Sequence, residues 1–244
     1  VFNYEKEIKD SEDVIKDHQI KGKITFNNLS FTYPNSDREV LSNISLTIPQ
    51  GYNIGLIGRT GCGKTTLVEL LMRIYNVKEN EILIDDIDIM KLPVKDVRNA
   101  ISYVPQDNFL FSDTIKNNIS FSSNEVDENE VIKASINSDV DSNIKDFKEG
   151  YDTVLGERGN GLSEGQIQRI AIARAILSNA DILMFDEATS ALDEETELRV
   201  LENISGLKDK TCIIVTHRKA AINYCNRHYY LENGRLEERE YVSN

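Results

Sequence analysis

The run NIGLIGRTGCGKTTLVELLMRIY (53–75) sets the narrowest limit on what this chain can become. A short apolar segment, Asn53–Ile57, enters a glycine-rich turn and leaves as a stretch in which Leu67, Leu70, Leu71 and Ile74 share one helical face. Between them GRTGCGKTT (58–66) satisfies the spacing G-x-x-x-x-G-K-[ST] in the context it requires, a strand before and a helix after. Gly58, Gly61 and Gly63 let the backbone turn, so that the N–H groups of Arg59, Thr60, Cys62 and their successors through Thr66 converge on phosphate oxygens. The helix start adds the positive end of its dipole. Lys64 is then placed to reach the β- and γ-phosphates and Thr65 to give its hydroxyl to Mg²⁺, two residue types that serve no packing need there.

A P-loop so placed implies an α/β fold, and the rest of the chain agrees. Short apolar runs recur at EILID (81–85), ISYVP (101–105), DILMF (181–185) and TCIIVT (211–216), bare on both sides as parallel strands covered by helices are. Upstream, the alternations Ile24, Phe26 and Ile44, Leu46, Ile48 predict half-buried antiparallel strands, and HYYLENGRLEE predicts a hairpin turning at Asn233-Gly234. Residues 112–150 are polar and helix-like with no strand run. The expected architecture is a P-loop NTPase core with a mostly parallel sheet flanked by helices, an N-terminal antiparallel β subdomain and an inserted α-helical subdomain. Its expected divisions are a linker over 1–22 with little core of its own, an ATP-binding core over 23–106 and 176–244, and the helical subdomain over 107–175.

Charge and length exclude several classes. A formal net charge of −13 argues against a broad surface for nucleic acid or anionic lipid. Cys62, Cys212 and Cys225 show no metal-ligand spacing and read as free thiols of a reducing compartment. No apolar run approaches the ~20 residues that span a bilayer. The start at Val1 rather than Met is read as a piece of a longer chain, with membrane segments expected upstream.

Two acids close the run ILMFDE (182–187), at a strand's C-terminal end, where open α/β sheets bind their ligands. Asp186 is placed to hold Mg²⁺, and Glu187 to orient and deprotonate a water attacking the γ-phosphate. His217 follows the strand TCIIVT and Gln106 follows SYVP; each reads either as a polar turn residue or as a contact to the nucleotide, water or metal. Tyr33 reads either as core or as a ring stacked on adenine. In GLSEGQIQRIAIARAIL (161–177), Ser163 and Gln166 form a capping box, which leaves Gly161 and Gly165 without a reason. A second phosphate-binding helix start has no nucleotide of its own to bind, so its target is that of another copy.

LSEGQ (162–166), lying between the P-loop and the DE strand, resembles the signature of the nucleotide-binding domains of ATP-binding cassette (ABC) proteins, and the likeness runs from about Ile24 onward. The resemblance implies an ATPase that dimerises head to tail, each ATP lying between one P-loop and the partner's Leu162, Ser163, Gly165 and Gln166. By it Tyr33 is similar to the adenine-stacking aromatic, Gln106 to a metal- and water-contacting glutamine, Glu187 to the catalytic carboxylate and His217 to the switch histidine. Ser190-Ala191-Leu192-Asp193 is similar to the D-loop at the dimer interface. PQDNFLFSDTIKNNI (105–119) and GERGNGLSEGQIQRIAIARAIL (156–177) are similar to exporter-type half transporters, and GERG (156–159) to a segment touching the membrane helices' inner tips. The implied partners are a second nucleotide-binding domain and a transmembrane domain, at the cytoplasmic face of a membrane, with the isolated domain soluble. A soluble ABC ATPase of DNA repair or translation and an ATP-sensing module are the alternatives. One position departs from the family: Glu164 stands where glycine is usual.

Overall fold

The computed structural model describes residues 8–11, 13–121, 127–156, 159 and 161–239. Its centre is a six-stranded sheet formed by β3 (Asn53–Ile57), β6 (Ile101–Val104), β7 (Ile182–Asp186), β8 (Thr211–Val215), β9 (Arg227–Glu232) and β10 (Arg235–Glu238), ordered β10-β9-β3-β8-β7-β6. Every pairing in it is parallel except the β9–β10 hairpin. β7 and β8 are buried at every residue, as their unbroken apolar runs require. β3 lies inside the sheet between β8 and β9, so the loop that follows it emerges from the middle of the molecule's most buried layer.

The second sheet is antiparallel, β2-β1-β4-β5, from β1 (Ile24–Thr32), β2 (Glu39–Ile48), β4 (Ile82–Ile84) and β5 (Ile87–Asp88). Here one expectation is corrected. EILID (81–85), grouped by its apolar run with the parallel strands, pairs antiparallel with β1, Ile24 opposite Ile84 and Phe26 opposite Ile82. Only Ile82 and Ile84 are buried, and three residues are too few for one-sided and two-sided burial to be told apart. Asp85 and Asp86 both take positive φ, 52° and 65°, which makes the two-residue turn into β5. The two sheets meet where the amide of Ser42 donates to the carbonyl of Gly234 (2.7 Å).

The segment before β1 is also more than a linker. Ile20 is 5% exposed and belongs to the core that the antiparallel sheet shares with α1 (Lys64–Leu71). Asp85 accepts hydrogen bonds from the amides of Lys21 (2.6 Å) and Lys23 (2.9 Å), and Arg73, fully buried just after α1, donates to the carbonyls of Lys9, Ile89 and Leu92. No helix forms among the described residues of 8–21. The cause is backbone polarity: each docked amide or carbonyl finds its partner in another element, which a local helix would have withdrawn.

The helix α2 (Val94–Asn99) leads into β6, and between β6 and β7 the chain forms α3 (Ile115–Ile119), α4 (Glu128–Asn137), α5 (Asp141–Lys145) and α6 (Glu164–Leu177). They close a separate small core that includes Leu110, Ile119, Val131 and Ile144. α6 serves two cores at once. Ile170 and Ala173 face the helical lobe, while Ala171, Ile172 and Ala175 pack with β7 and β8, so the division expected at 175 falls inside a helix rather than in a loop. A helix apolar on opposite sides belongs to both layers it separates.

Candidate functional site

The loop 58–63 is shaped by its glycines and held by its neighbours. Gly63 is the N-cap of α1 at φ 110°, with a Cβ position 2.8 Å from Leu41 Cδ2, so backbone conformation and β2 both require glycine. Behind the loop, Lys64 is 8% exposed and its ammonium donates to the carbonyls of Gly58 (2.6 Å) and Arg59 (3.1 Å). These neutral acceptors hold the side chain extended along the loop until an anion competes for it. Thr65 is exposed at the same helix start.

A cleft of about 930 Å³ opens over this loop. Its walls include every residue from Arg59 to Thr66, Tyr33 on the antiparallel sheet, and Gln106, Asp186 and Glu187 after β6 and β7. Tyr33 sits edge-on to Phe31 and Tyr75, and its hydroxyl is shared with Thr66 (2.8 Å) and Glu69 (2.7 Å), so the ring is braced against α1 with one side on the cleft. Asp186 is buried, and burial raises its carboxyl above the usual range against the lowering effect of the Tyr103 hydroxyl (3.1 Å) and Lys64. Burial and the neighbouring Asp186 push the Tyr103 phenol upward in turn.

Glu187 reaches its place through an uncommon backbone. At φ 51° it is left-handed, a conformation costing a non-glycine residue roughly 1 kcal/mol or more. Its amide still donates to Val215 (2.9 Å), so the distortion is pinned to the sheet. The turn sets its carboxylate against His217, with Nδ1 2.9 Å from Oε1 and 2.7 Å from Oε2. An acid and a histidine that end different strands thus become a contacting pair beside the cleft.

An oxygen donor set suits a hard divalent cation. The buried Asp186 carboxylate and the Thr65 hydroxyl both line the cleft, and both are oxygen ligands of the kind Mg²⁺ takes. Among the described residues no group of three or more His, Cys, Asp or Glu is arranged to hold a metal ion by itself, so a cation here would need further oxygen ligands from phosphate and water.

Leu162, Ser163, Gly165, Gln166 and Asp193 are not on the walls of this cleft. Ser163 and Gln166 form the expected reciprocal cap, the amide of Gln166 donating to Ser163 Oγ (3.2 Å) and that of Ser163 to Gln166 Oε1 (2.9 Å). The two glycines left unexplained by that cap find structural reasons. Gly161 is left-handed at φ 103°, and a Cβ on Gly165 would lie 3.2 Å from the carbonyl of Ala191. Glu164 is exposed in the first turn of α6, where an acid suits the dipole. Asp193 caps α7 (Glu194–Ser205), accepting from the amide of Thr196 (3.0 Å). Glu157 and Arg158 of the GERG segment lie outside the described residues.

Sequence reasoning missed Arg38, Val40 and the hairpin tip Leu231–Gly234, which line the cleft, and Tyr103, which holds Asp186. Arg38 and the hairpin carry no local signal, because long-range pairing alone brings them to the loop. Tyr103 had one: it stands on β6, three residues before the Gln106 that follows that strand.

A profile of the family described as ABC transporter matches residues 41–190, from within β2 to the turn after Glu187. The chain belongs to the ABC transporter family. This ABC domain is 43% identical over 220 residues to the iron-sulfur clusters transporter atm1, mitochondrial, of Aspergillus fumigatus, covering 89% of this chain and 30% of that protein. It is 40% identical over 221 residues to the ATP-dependent lipid A-core flippase of Haemophilus ducreyi, covering 90% of the chain and 38% of the relative. A solved bacterial Atm1-family ABC exporter with ATP bound superposes with a TM-score of 0.89 at 37% identity, over 95% of this chain and 41% of that one. The ABC domain therefore spans about a third to two fifths of the length of these exporters. ATP hydrolysis is the family's general activity, and this chain is its ATPase domain. Among the described residues no helix is long and apolar enough to cross a membrane.

Proposed function

We propose that two copies of this ABC domain close head to tail around two Mg-ATP, and that hydrolysis reopens them to drive export across a membrane by helices outside the present sequence. The observation that carries this reading is the position of the signature. Ser163 starts an exposed, capped helix that takes no part in the cleft its own P-loop lines, which leaves it free to face a nucleotide held by another chain.

In this reading the amides of 59–66 and the Lys64 ammonium bind the phosphates, and Tyr33 stacks on the adenine. Thr65, Asp186 and Gln106 would hold Mg²⁺, which supplies charge neutralisation at the transferring phosphoryl group. Glu187 orients and deprotonates the attacking water, with His217 fixing its carboxylate and sensing the γ-phosphate. Leu162, Ser163, Gly165 and Gln166 complete the partner's site, and Asp193 lies at the seam. The membrane part docks on the exposed aromatic patch of Phe109, Phe111 and Phe121, 51%, 38% and 59% exposed, on which Arg174 is laid by cation–π contact. In this reading the domain works at the cytoplasmic face. The transporter, flippase and exporter names of the relatives and the intact set of hydrolytic residues support transport over an ATP-sensing role.

Glu187→Gln tests the reading. ATP binding is expected to survive while turnover falls by about 10²–10⁴-fold. The variant should elute as an ATP-dependent dimer by size exclusion with light scattering, and adding Ser163→Arg should return it to monomer. Parental turnover in Glu187→Gln, or a dimer indifferent to Ser163→Arg, would overturn it.

A further inference from the structure

Arg218 follows His217 directly, yet its guanidinium lies in the turn after Glu187 and not on the cleft wall. Nη1 donates to the carbonyls of Thr189 (3.2 Å) and Leu192 (3.2 Å) and to Glu197 Oε2 (2.7 Å); Nη2 donates to the carbonyl of Ser190 (3.0 Å). Glu197 is 2% exposed, and its other oxygen accepts from the Thr189 hydroxyl (2.7 Å). One planar fork thus holds three backbone carbonyls of the 189–192 turn and the buried carboxylate of α7, a set of acceptors that a point charge could not satisfy together.

The same turn is gripped from the opposite side by α6. Gln168, 2% exposed, donates through Nε2 to Ser190 Oγ (3.0 Å) and accepts from the amide of Ala191 (3.0 Å). One turn before it, Gly165 lies against the Ala191 carbonyl, where an added Cβ would be a tight 3.2 Å away. The neighbour of His217 and the helix that begins at Ser163 are therefore tied to one short stretch of backbone, by a half-buried Arg218 paired with the buried Glu197 and by the buried Gln168.

We propose that Arg218 and Gln168 are positioning residues that make one rigid unit of the hydrolytic pair in one ATP site and the signature helix offered to the other. The inference rests on the head-to-tail reading above. It goes beyond that reading by naming the side chains through which one site aligns the residues of the second. Neither side chain lines the cleft, and neither takes part in the chemistry.

The test separates the two sites by mixing variants of the chain. Lys64→Ala keeps its signature helix and Ser163→Arg keeps its P-loop, so each alone is inactive with Mg-ATP and the mixture rebuilds one composite site. Arg218→Lys is then added to the Lys64→Ala chain, where it stands next to the disabled site and retains the charge that pairs with Glu197. A fall of about tenfold or more in the mixture's kcat is expected, with the KM for ATP unchanged and the thermal midpoint of the altered chain within a few degrees of its parent. Conversely, Gln168→Met in the Ser163→Arg chain, whose signature is already disabled, should lower the mixture's kcat through that chain's Glu187 and His217. Full activity in both mixtures would overturn the proposal, leaving Arg218 and Gln168 as packing residues. Should Arg218→Lys unfold its chain, the Gln168→Met mixture decides alone. If the unaltered pair shows no activity on mixing, the head-to-tail reading fails, and the proposal falls with it.

Discussion

Three cysteines of one chemical type end up in three environments, and burial separates them. Cys62 lies in the loop that lines the cleft, whereas Cys212 is buried in β8 and Cys225 packs beside Gly55. Desolvation pushes both inner thiols up to about 12, so neither carries appreciable thiolate at neutral pH. Maleimide at pH 7 is expected to modify the folded chain once, at Cys62, and to reach Cys212 and Cys225 only on unfolding; peptide mass spectrometry reads the sites. Because Cys62 sits among the amides assigned to phosphate, Mg-ATP should slow its labelling, and the labelled protein should lose ATP binding. Labelling that nucleotide leaves unaffected would remove this loop from the phosphate site.

At the scale of elements, one turn supplies two of the anchors of the strap formed by the described residues of 8–23. Asp85, left-handed between β4 and β5, accepts from two strap amides and stands 3.3 Å from His18 Nε2, while Ile20 adds its side chain to the core beneath. Removing these acceptors leaves the part-buried Lys23 amide unpaired, at about 1–3 kcal/mol. Asp85→Ala is therefore expected to lower chemical stability by that amount and to speed hydrogen exchange at 18–23, with exchange in α6 unchanged. Exchange at 18–23 as slow as in the parent would show that the Asp85 carboxylate does not anchor the strap. The strap also reaches the end of the P-loop helix through the hydrogen bond between Arg73 and the Lys9 carbonyl, so what precedes the domain in sequence is joined to the element that begins at Lys64.

For the whole molecule the expected behaviour is second order. A site completed by another chain makes specific activity rise with protein concentration until the dimer saturates. Measured over a wide dilution series, the parent should show that rise; a flat profile would mean that each chain hydrolyses ATP by itself. The P-loop, the acids of β7, the capping box of α6 and the parallel strands were all legible in the sequence, because each is written in consecutive residues whose spacing reflects local backbone geometry. Only the tertiary structure decided the rest. It put β4 in the antiparallel sheet, docked the strap, shared α6 between two cores, brought Glu187 against His217, and closed Arg218 and Gln168 on the turn between them. Those arrangements join residues dozens of positions apart through packing and hydrogen bonds that form only once the sheets are assembled, and periodicity along the chain carries no trace of them.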